Sequence, residues 1–313
     1  MKLALAGDTM LGRKVAERLE SEPPESLLAA EVVEVVREAD FCVLNLECCI
    51  SERGQRFPGR VFHFRAPPIA VEVLTQLGVD CVTLANNHAL DFGADALVDT
   101  LRHLHGAGIA CAGAGAELAS AREPVVLERT GFRLGVVGIT DHPHEYAAER
   151  NRPGVAFADL ARDGVPDWVA ERIGALRADA TLVTPHWGPN MTAEPVPHVR
   201  RAADALLAAG ATLIAGHSAH VFHGVAPRVL FDLGDFLDDY AVDPELRNDL
   251  GLLFLVDLAG ELLEAIPLKL EYTHTRVADG EDAQWIGRRF VDACAALGTE
   301  AKIAGDRLVA RWR

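Results

Sequence analysis

The residues that follow one apolar segment combine side chains that bind metal ions with side chains that transfer protons. Residues 81–84 are apolar enough to predict a buried strand, and Asn86, Asn87, His88 and Asp91 come soon after them. In open α/β sheets, ligands bind at the carboxyl ends of the strands, where such side chains would lie. Two asparagines and a histidine also suit an ordinary turn, so this segment alone leaves both interpretations open.

The same arrangement recurs at five other predicted strand ends. Carboxylate, amide or imidazole side chains stand at each of them: Asp8, Asn45 with Glu47, His186, His217 with His220, and Asp235. Each residue has an ordinary structural alternative, such as capping a helix, pairing with an arginine or packing on a neighbouring ring. Because six predicted strands end in this way, the sequence favours one shared site over six unrelated polar ends.

The side chains at these strand ends are those expected of a divalent metal site. Carboxylate, amide oxygen and imidazole ligands without a thiolate suit Mn, Zn or Fe. A bound cation lowers the pKa of its water toward about 7, which makes a metal-bound hydroxide available at neutral pH. We predict one or two ions, and the predicted ligands are Asp8, Glu47, Asn87, His186, His217 and His220.

The remaining candidates have roles in catalysis and substrate binding. His88 lies beside the predicted ligand Asn87, and it would protonate the leaving group, while Asp91 would orient the imidazole through a hydrogen bond. Capping of the next helix is an equally good interpretation of Asp91. The predicted substrate contacts are Arg13, Arg65, Asn86 and Asp235, with the segment 238–249 as a further candidate. Arginine suits carboxylate or phosphate groups, although a surface salt bridge is the alternative for each arginine.

Composition restricts the partners and the compartment. The 313 residues include 30 Lys+Arg and 46 Asp+Glu, and the resulting formal charge of −16 argues against nucleic acid or an anionic membrane as the main partner. The six cysteines form no C-x-x-C pair, which favours buried thiols in a reducing compartment. No segment approaches the roughly 20 apolar residues of a membrane span, and the apolar N-terminus is too short for a signal peptide. We therefore predict a cytoplasmic protein; oligomeric state is not indicated.

Alternating strand and helix patterns without a linker predict one α/β domain over residues 1–313. Apolar periodicity predicts helices at 11–20, 24–37, 69–77, 168–176 and 199–209, another after Asp91 that ends at Gly106, and a terminal helix around Cys294. Hairpins are predicted at 124–139 and 252–270. The glycine-rich residues 111–116 lack the G-x-G-x-x-G spacing, so we interpret them as a turn.

Several motifs resemble those of the CapA/PgsA family, which is associated with poly-γ-glutamate capsule synthesis. The match runs in order from about residue 3 to residue 256, and its most specific part is the asparagine–histidine block at 85–93. The other matching motifs are Gly7-Asp8-Thr9-Met10-Leu11-Gly12-Arg13, Asn45-Leu46-Glu47, His186-Trp187-Gly188, Gly216-His217-x-x-His220 and Leu233-Gly234-Asp235-Phe236. The resemblance implies a metallophosphoesterase-like, four-layer α/β/β/α sandwich with metal ions at the strand ends.

The motifs also depart from those of ordinary metallophosphoesterases. Asp8-Thr9-Met10 replaces Asp-x-His, and His217 and His220 are three residues apart instead of two. The bridging aspartate motif is missing, and Glu47 is the natural candidate to replace it. These changes would weaken or rebuild one metal position, so the resemblance does not by itself assure two ions.

The residues and the resemblance together predict a metal-dependent hydrolase. Its expected reaction is cleavage of an amide in a glutamate-containing or other anionic substrate, either a small molecule or an oligomer, through a metal-bound hydroxide. A metal-dependent phosphoesterase with the same site is the first alternative. The second is a non-catalytic subunit of polyglutamate or capsule assembly.

Overall fold

The computed structural model describes residues 1–161 and 164–313. Its strands, in chain order, are β1 Lys2–Thr9, β2 Phe41–Leu46, β3 Cys49–Ile50, β4 Arg65–Ala66, β5 Cys81–Thr83, β6 Ala110–Ala112, β7 Ala114–Gly115, β8 Val125–Arg129, β9 Phe132–Thr140, β10 Gly154–Val155, β11 Ala180–His186, β12 Leu213–Ala215, β13 Val225–Ala226, β14 Val229–Leu230, β15 Asp235–Leu237, β16 Leu250–Asp257, β17 Leu262–Leu270, β18 Thr275–Val277, β19 Ala301–Ala304 and β20 Arg307–Arg311.

The helices lie between these strands and mostly follow the apolar periodicity of the sequence. They are α1 Arg13–Leu19, α2 Ala30–Val36, α3 Ala70–Leu77, α4 Gly93–Gly106, α5 Leu118–Ala121, α6 Asp167–Ala175, α7 Pro197–Ala208 and α8 Gly280–Ala296, with 3₁₀ turns at Pro24–Leu27 and His144–Tyr146. None of these described helices has both the length and the apolar character needed to span a bilayer.

Two large sheets form the centre of the molecule. The larger has the strand order β19-β20-β17-β16-β1-β2-β5-β6, with β15 also paired to β1 and β18 to β17. The smaller has the order β13-β14-β12-β11-β9-β8. Strands β1, β2, β5 and β6 are parallel to one another, as are β9, β11, β12 and β14. The carboxyl ends of the parallel strands in each sheet therefore lie on one edge.

Strand β1 is buried on both faces, and each face packs against a different layer of the fold. Leu3 and Leu5 belong to the apolar cluster between the sheets, together with Leu182 of the smaller sheet. Ala4 and Ala6 point the other way, into the cluster beneath helices α1 to α4. Successive side chains of a strand alternate between its faces, so a strand buried on both sides is apolar throughout.

The smaller sheet carries its own helices on its outer face. Val183 of β11 packs in a third apolar cluster with Val169 of α6 and Leu206 of α7. The order of layers is therefore helices, larger sheet, smaller sheet, helices. This arrangement confirms the predicted four-layer α/β/β/α sandwich.

Three local predictions were wrong. The helix predicted at 24–37 is interrupted, because Ala29 N–H donates to the Thr275 carbonyl at 2.9 Å before α2 begins. The glycine-rich turn at 111–116 contains the end of β6 and all of β7, between which Gly113 has a φ of 81° and approaches Ala85 closely. The predicted terminal helix, α8, is not the last element, because the β19–β20 hairpin follows it and extends the larger sheet.

Asp249 fixes the end of the 238–249 loop to the larger sheet. It accepts hydrogen bonds from Arg247 Nε at 2.8 Å and Nη2 at 3.0 Å, and it also pairs with Lys269 of β17. Burial opposes ionisation of Asp249, but the bonds from Arg247 and Lys269 outweigh it and lower the pKa. The ionised carboxylate therefore stabilises the folded state.

We expect Asp249→Asn to lower the free energy of unfolding at pH 7 by about 1–2 kcal/mol, the range for a charged hydrogen bond after solvent screening. Because the folded-state pKa is depressed, this contribution is complete above the unfolded pKa of about 3.9 and is lost as the pH falls through the folded value. Urea unfolding at a series of pH values should show the two proteins converging below about pH 4. Equal differences at pH 7 and at low pH would contradict the assignment; Asp292→Asn, on the exposed face of α8, is the control.

Candidate metal centre

The predicted strand-end side chains converge where the carboxyl edges of the two sheets face each other. Asp8 lies near the end of β1 in the larger sheet, and its partner across the parallel pairing is Asp235 of β15. His186 ends β11 in the smaller sheet and forms an isolated bridge with His217. All four residues are at most 1% exposed. Two groups of potential metal ligands are formed here, and Asp8 belongs to both.

The first group consists of Asp8, His186 and His217, whose potential ligand atoms lie within 4.8 Å of one another. The Nδ1 atoms of the two histidines are 2.8 Å apart, and His217 Nδ1 is 3.9 Å from Asp8 Oδ1. Burial lowers the pKa of His217 to about 4, and burial together with His217 lowers that of His186 well below its usual value. Both rings are therefore neutral at pH 7, which is the form that binds metal ions.

The second group consists of Asp8, Glu47 and His220. His220 Nδ1 lies 2.8 Å from Asp235 Oδ1 and 3.2 Å from Asp8 Oδ2. Burial opposes protonation of His220, but Asp235 and Glu47 outweigh it and raise its pKa well above the usual value. Burial and the charge of Asp8 raise the pKa of Glu47. A cation bound here would replace the proton on His220, because it offsets the same carboxylate charges.

Several buried polar atoms of the predicted ligand residues have no hydrogen-bond partner among the described residues. They are carboxylate, amide and imidazole atoms: Glu47 Oε1 and Oε2, Asn87 Oδ1, His186 Nε2 and His217 Nε2. An unpaired buried polar group costs free energy, so such atoms usually have a ligand. Their chemistry fits a divalent cation, as the sequence predicts.

The division into two groups differs from the expectation in one respect. The sequence suggested Glu47 as the carboxylate shared by two metal positions, whereas the structure gives the shared position to Asp8. His217 and His220 fall into different groups, with Asp8 between them. A spacing of three residues therefore suits two separate positions.

His88 lies at the edge of the second group and is held by Asp91. Its Nδ1 is 2.6 Å from Asp91 Oδ2, its Nε2 is 3.8 Å from Glu47 Oε1, and its ring stacks on Phe64 with the centroids 4.0 Å apart. Asp91 also accepts hydrogen bonds from Phe64 N–H at 2.7 Å and Tyr146 O–H at 2.9 Å. Burial lowers the pKa of His88, and Asp91 opposes that effect. Helix capping by Asp91 is excluded, because α4 has no side-chain cap.

Two asparagines connect Asp8 to His88 beneath the site. Asn45 Nδ2 donates to Asp8 Oδ1 at 2.7 Å, and Asn86 Nδ2 donates to Asn45 Oδ1 at 2.9 Å and to the Leu46 carbonyl at 2.8 Å. His88 N–H donates to Asn86 Oδ1 at 3.0 Å. Asn86 is fully buried, and its amide is hydrogen-bonded to other residues of the protein. The sequence suggested that it contacts substrate, whereas in the structure it supports Asn45 and His88.

The other predicted substrate contacts are distributed differently from expectation. Arg13 lines a cavity of about 660 Å³ that also reaches His88 and His220. Arg65 is not among the described residues of that lining, and its guanidinium carbon instead lies 4.2 Å from the ring centroid of Phe92. Asp235 is buried against His220. The structure therefore brings one of the four, Arg13, to the cavity.

Sequence reasoning missed three supporting residues. Tyr146 and Phe64 hold Asp91 and His88 in place, as described above. Asp232 accepts hydrogen bonds from Ala219 N–H at 2.8 Å and Gly234 N–H at 2.9 Å, which fixes the loop that carries His220 and the turn that precedes Asp235 of β15. The Asp232 position at a strand end was a usable signal. Tyr146 gave none, because it is 55 residues from its partner Asp91.

The fold and the site together define a class: a four-layer α/β/β/α protein with buried carboxylate and imidazole groups at its strand ends. Comparison with known families assigns the chain within it. Residues 2–240 match the model of the family described as "Bacterial capsule synthesis protein PGA_cap", and the chain belongs to that family. The predicted resemblance to CapA-type capsule proteins is confirmed.

Individual relatives carry names related to polymer synthesis. The chain is 34% identical over 292 residues to a probable polyglutamine synthesis accessory protein of Mycobacterium tuberculosis, an alignment that covers 86% of this chain and 76% of the relative. It is 27% identical over 248 residues to the PGA biosynthesis protein CapA of Bacillus subtilis, covering 76% of this chain and 63% of that protein. The capsule biosynthesis protein CapA of Bacillus anthracis is 25% identical over 285 residues, covering 87% and 68%.

Proposed function

We propose that this protein is a metal-dependent hydrolase that cleaves an amide in a glutamate-containing or other anionic molecule. One observation carries the proposal. Two groups of buried ligand side chains share Asp8, and His88 Nε2 lies 3.8 Å from Glu47 Oε1 at a cavity that both His88 and His220 line. Relatives named for polyglutamine and PGA biosynthesis support a glutamyl substrate.

The geometry and the unpaired polar atoms support six ligand residues. Asp8, Glu47, Asn87, His186, His217 and His220 would hold the ions, Mn, Zn or Fe. A cation there supplies Lewis acidity and lowers the pKa of a bound water. Asp8 and Glu47 are fully buried, so the chain shields these ligands from bulk solvent.

His88 provides the proton for the leaving group. Asp91 Oδ2 accepts from His88 Nδ1, so Nε2, which lies 3.8 Å from Glu47 Oε1, is the nitrogen that gains and loses a proton. Nε2 would take up the proton that the attacking water loses and pass it to the leaving amine. The three donors to Asp91 fix the carboxylate and, through it, the imidazole plane. A proton donor held in one orientation beside a metal site suits general acid catalysis.

A phosphoesterase that uses the same residues is the second candidate. The shared Asp8 supports it, because paired metal sites of this kind occur in phosphatases and nucleases as well as in aminopeptidases. The two reactions need the same ligands and the same acid, and they differ in the substrate.

An assay of the Mn- or Zn-loaded protein separates these candidates. We expect release of new amino groups from poly-γ-glutamate or of nitroaniline from γ-glutamyl-4-nitroanilide, and no turnover of bis(4-nitrophenyl) phosphate. Turnover of the diester alone, abolished by His88→Ala, would replace the amide reaction with the phosphoester reaction. His217→Ala tests the non-catalytic alternative, since an assembly subunit without a metal centre would tolerate the loss of this ligand.

A further inference from the structure

The cavity beside His88 has apolar walls that come from three separate loops. Phe62 lies between β3 and β4, Met191 between β11 and α7, and Val242 between β15 and β16. They are 58%, 37% and 53% exposed, and so belong to the small set of large apolar side chains that the described surface leaves uncovered. Their convergence on one cavity points to a ligand, because exposed apolar residues on a soluble surface are usually scattered.

Aromatic rings continue this wall inward to His88. Phe62 stacks on Phe64 with the ring centroids 6.4 Å apart, and Phe64 and Tyr240 are 5.7 Å apart. Phe64 in turn stacks on His88. A flat apolar group that enters the cavity would therefore contact aromatic surface from the rim to the imidazole.

The charged groups of the cavity do not favour an anion. Arg13 is the one cation among the described lining residues apart from the histidines, and Asp239 neutralises it through two hydrogen bonds from Nε, at 2.8 and 3.1 Å, and further bonds from Nη2. The remaining carboxylate, Asp243, accepts backbone N–H groups of Glu245 and Leu246, which lower its pKa. Without the histidines, the described lining residues therefore carry a net charge of one negative unit.

The position of His88 relates the cavity to the reaction. If His88 protonates the leaving group, as the proposed function has it, the group that departs past His88 enters this cavity. We propose that the cavity is a subsite for an uncharged aryl or branched-alkyl group, carried on the amine that leaves when the amide is cleaved. The assignment to the leaving amine rests on the proposed function, whereas the apolar preference rests on the walls alone.

Binding of two probes of equal shape tests the preference without requiring turnover. 4-Fluorobenzamide is neutral and 4-fluorobenzoate is an anion, and ¹⁹F NMR titration gives the Kd of each. The titrations use the purified 313-residue protein, with and without EDTA, because benzoate also binds metal ions. We expect saturable binding of the benzamide that EDTA does not change, and weaker binding of the benzoate in EDTA.

Variants of the wall residues test whether the benzamide binds in this cavity. Phe62→Ala should weaken benzamide binding about fivefold, as the loss of one aromatic contact implies. Val242→Asp, from a different loop, should weaken it as well. Ile303→Ala is the matched control, because Ile303 is a 54% exposed apolar residue on β19 that does not line the cavity.

The binding measurements test the subsite, and the cleavage assays test the proposed reaction. Equal or tighter binding of the benzoate in EDTA, no saturable binding of the benzamide, or equal losses in Phe62→Ala and Ile303→Ala would overturn the proposal. Failure to cleave any amide would instead reject the proposed function and leave the binding results unaffected. If glutamyl amides are cleaved, γ-glutamyl-4-nitroanilide should have a lower KM than γ-glutamylglutamate, and Phe62→Ala should reduce that difference.

Discussion

Asp8→Asn is expected to bind less metal than a variant of any other predicted ligand. Asp8 belongs to both ligand groups, whereas Glu47 belongs to one and His186 to the other. Glu47→Gln and His186→Ala should each weaken one position and leave the other. Loss of a supporting residue alone costs about 10–100-fold in metal affinity, so loss of a shared ligand should cost roughly 100-fold or more.

The metal contents of these variants are measured by elemental analysis, after each protein is loaded with Mn or Zn and passed through gel filtration. Asparagine has nearly the shape of aspartate and can still accept the bond from Asn45, so the variant should remain folded, which thermal unfolding checks. Asp292→Asn, an exposed carboxylate of α8, is the matched control. If Asp8→Asn retains as much metal as Glu47→Gln, the shared position of Asp8 is wrong.

Much of the layered fold can be predicted because its buried strands and amphipathic helices have strong local patterns. The helix predicted at 69–77 is α3, Ala70–Leu77, and the one at 199–209 is α7, Pro197–Ala208. The errors occur where distant residues decide the local structure. Ala29 is drawn out of the helical pattern by Thr275, which is far away in the sequence, and β19 has three exposed residues in four, so it shows little apolar alternation.

The candidate site shows the same division between local and distant information. Asp8, Glu47, His186, His217 and His220 could be identified because each stands at or just after the end of an apolar run. Their grouping could not, because it depends on how two sheets approach each other. The same holds for Arg13: its type suggested an anion contact, but Asp239, 226 residues away, already pairs with it. Residue type therefore indicates which ligands a side chain can bind, and its neighbours in the fold determine whether it is free to bind them.

The asparagine–histidine segment illustrates how neighbours separate similar residues. Asn86 and Asn87 were adjacent amides with different predicted roles. The structure uses the amide of Asn86 to connect Asn45 with His88, whereas Asn87 Oδ1 is buried without a partner among the described residues. This contrast supports Asn87 as the metal ligand, and it makes Asn86 a residue that positions His88.

His88→Gln is expected to lower kcat about 10²–10⁴-fold, the usual contribution of a general acid, and to leave the metal content unchanged. Glutamine can bond to Asp91 but cannot carry the proton. His88 belongs to neither ligand group, so its loss should not release metal. Steady-state kinetics on the substrate that the metal-loaded protein turns over, together with elemental analysis of the same samples, measure both effects.

Two further variants show whether the loss reflects proton transfer. Asp91→Asn keeps the shape of the carboxylate but removes its charge, and we expect a smaller loss in kcat of about 10–100-fold, typical of a residue that orients a site group. His105→Gln, at an exposed position in the last turn of α4, should leave kcat unchanged. A His88→Gln protein that keeps the full kcat, or that loses activity only in proportion to lost metal, would remove His88 from the reaction and reduce its role to supporting the metal centre.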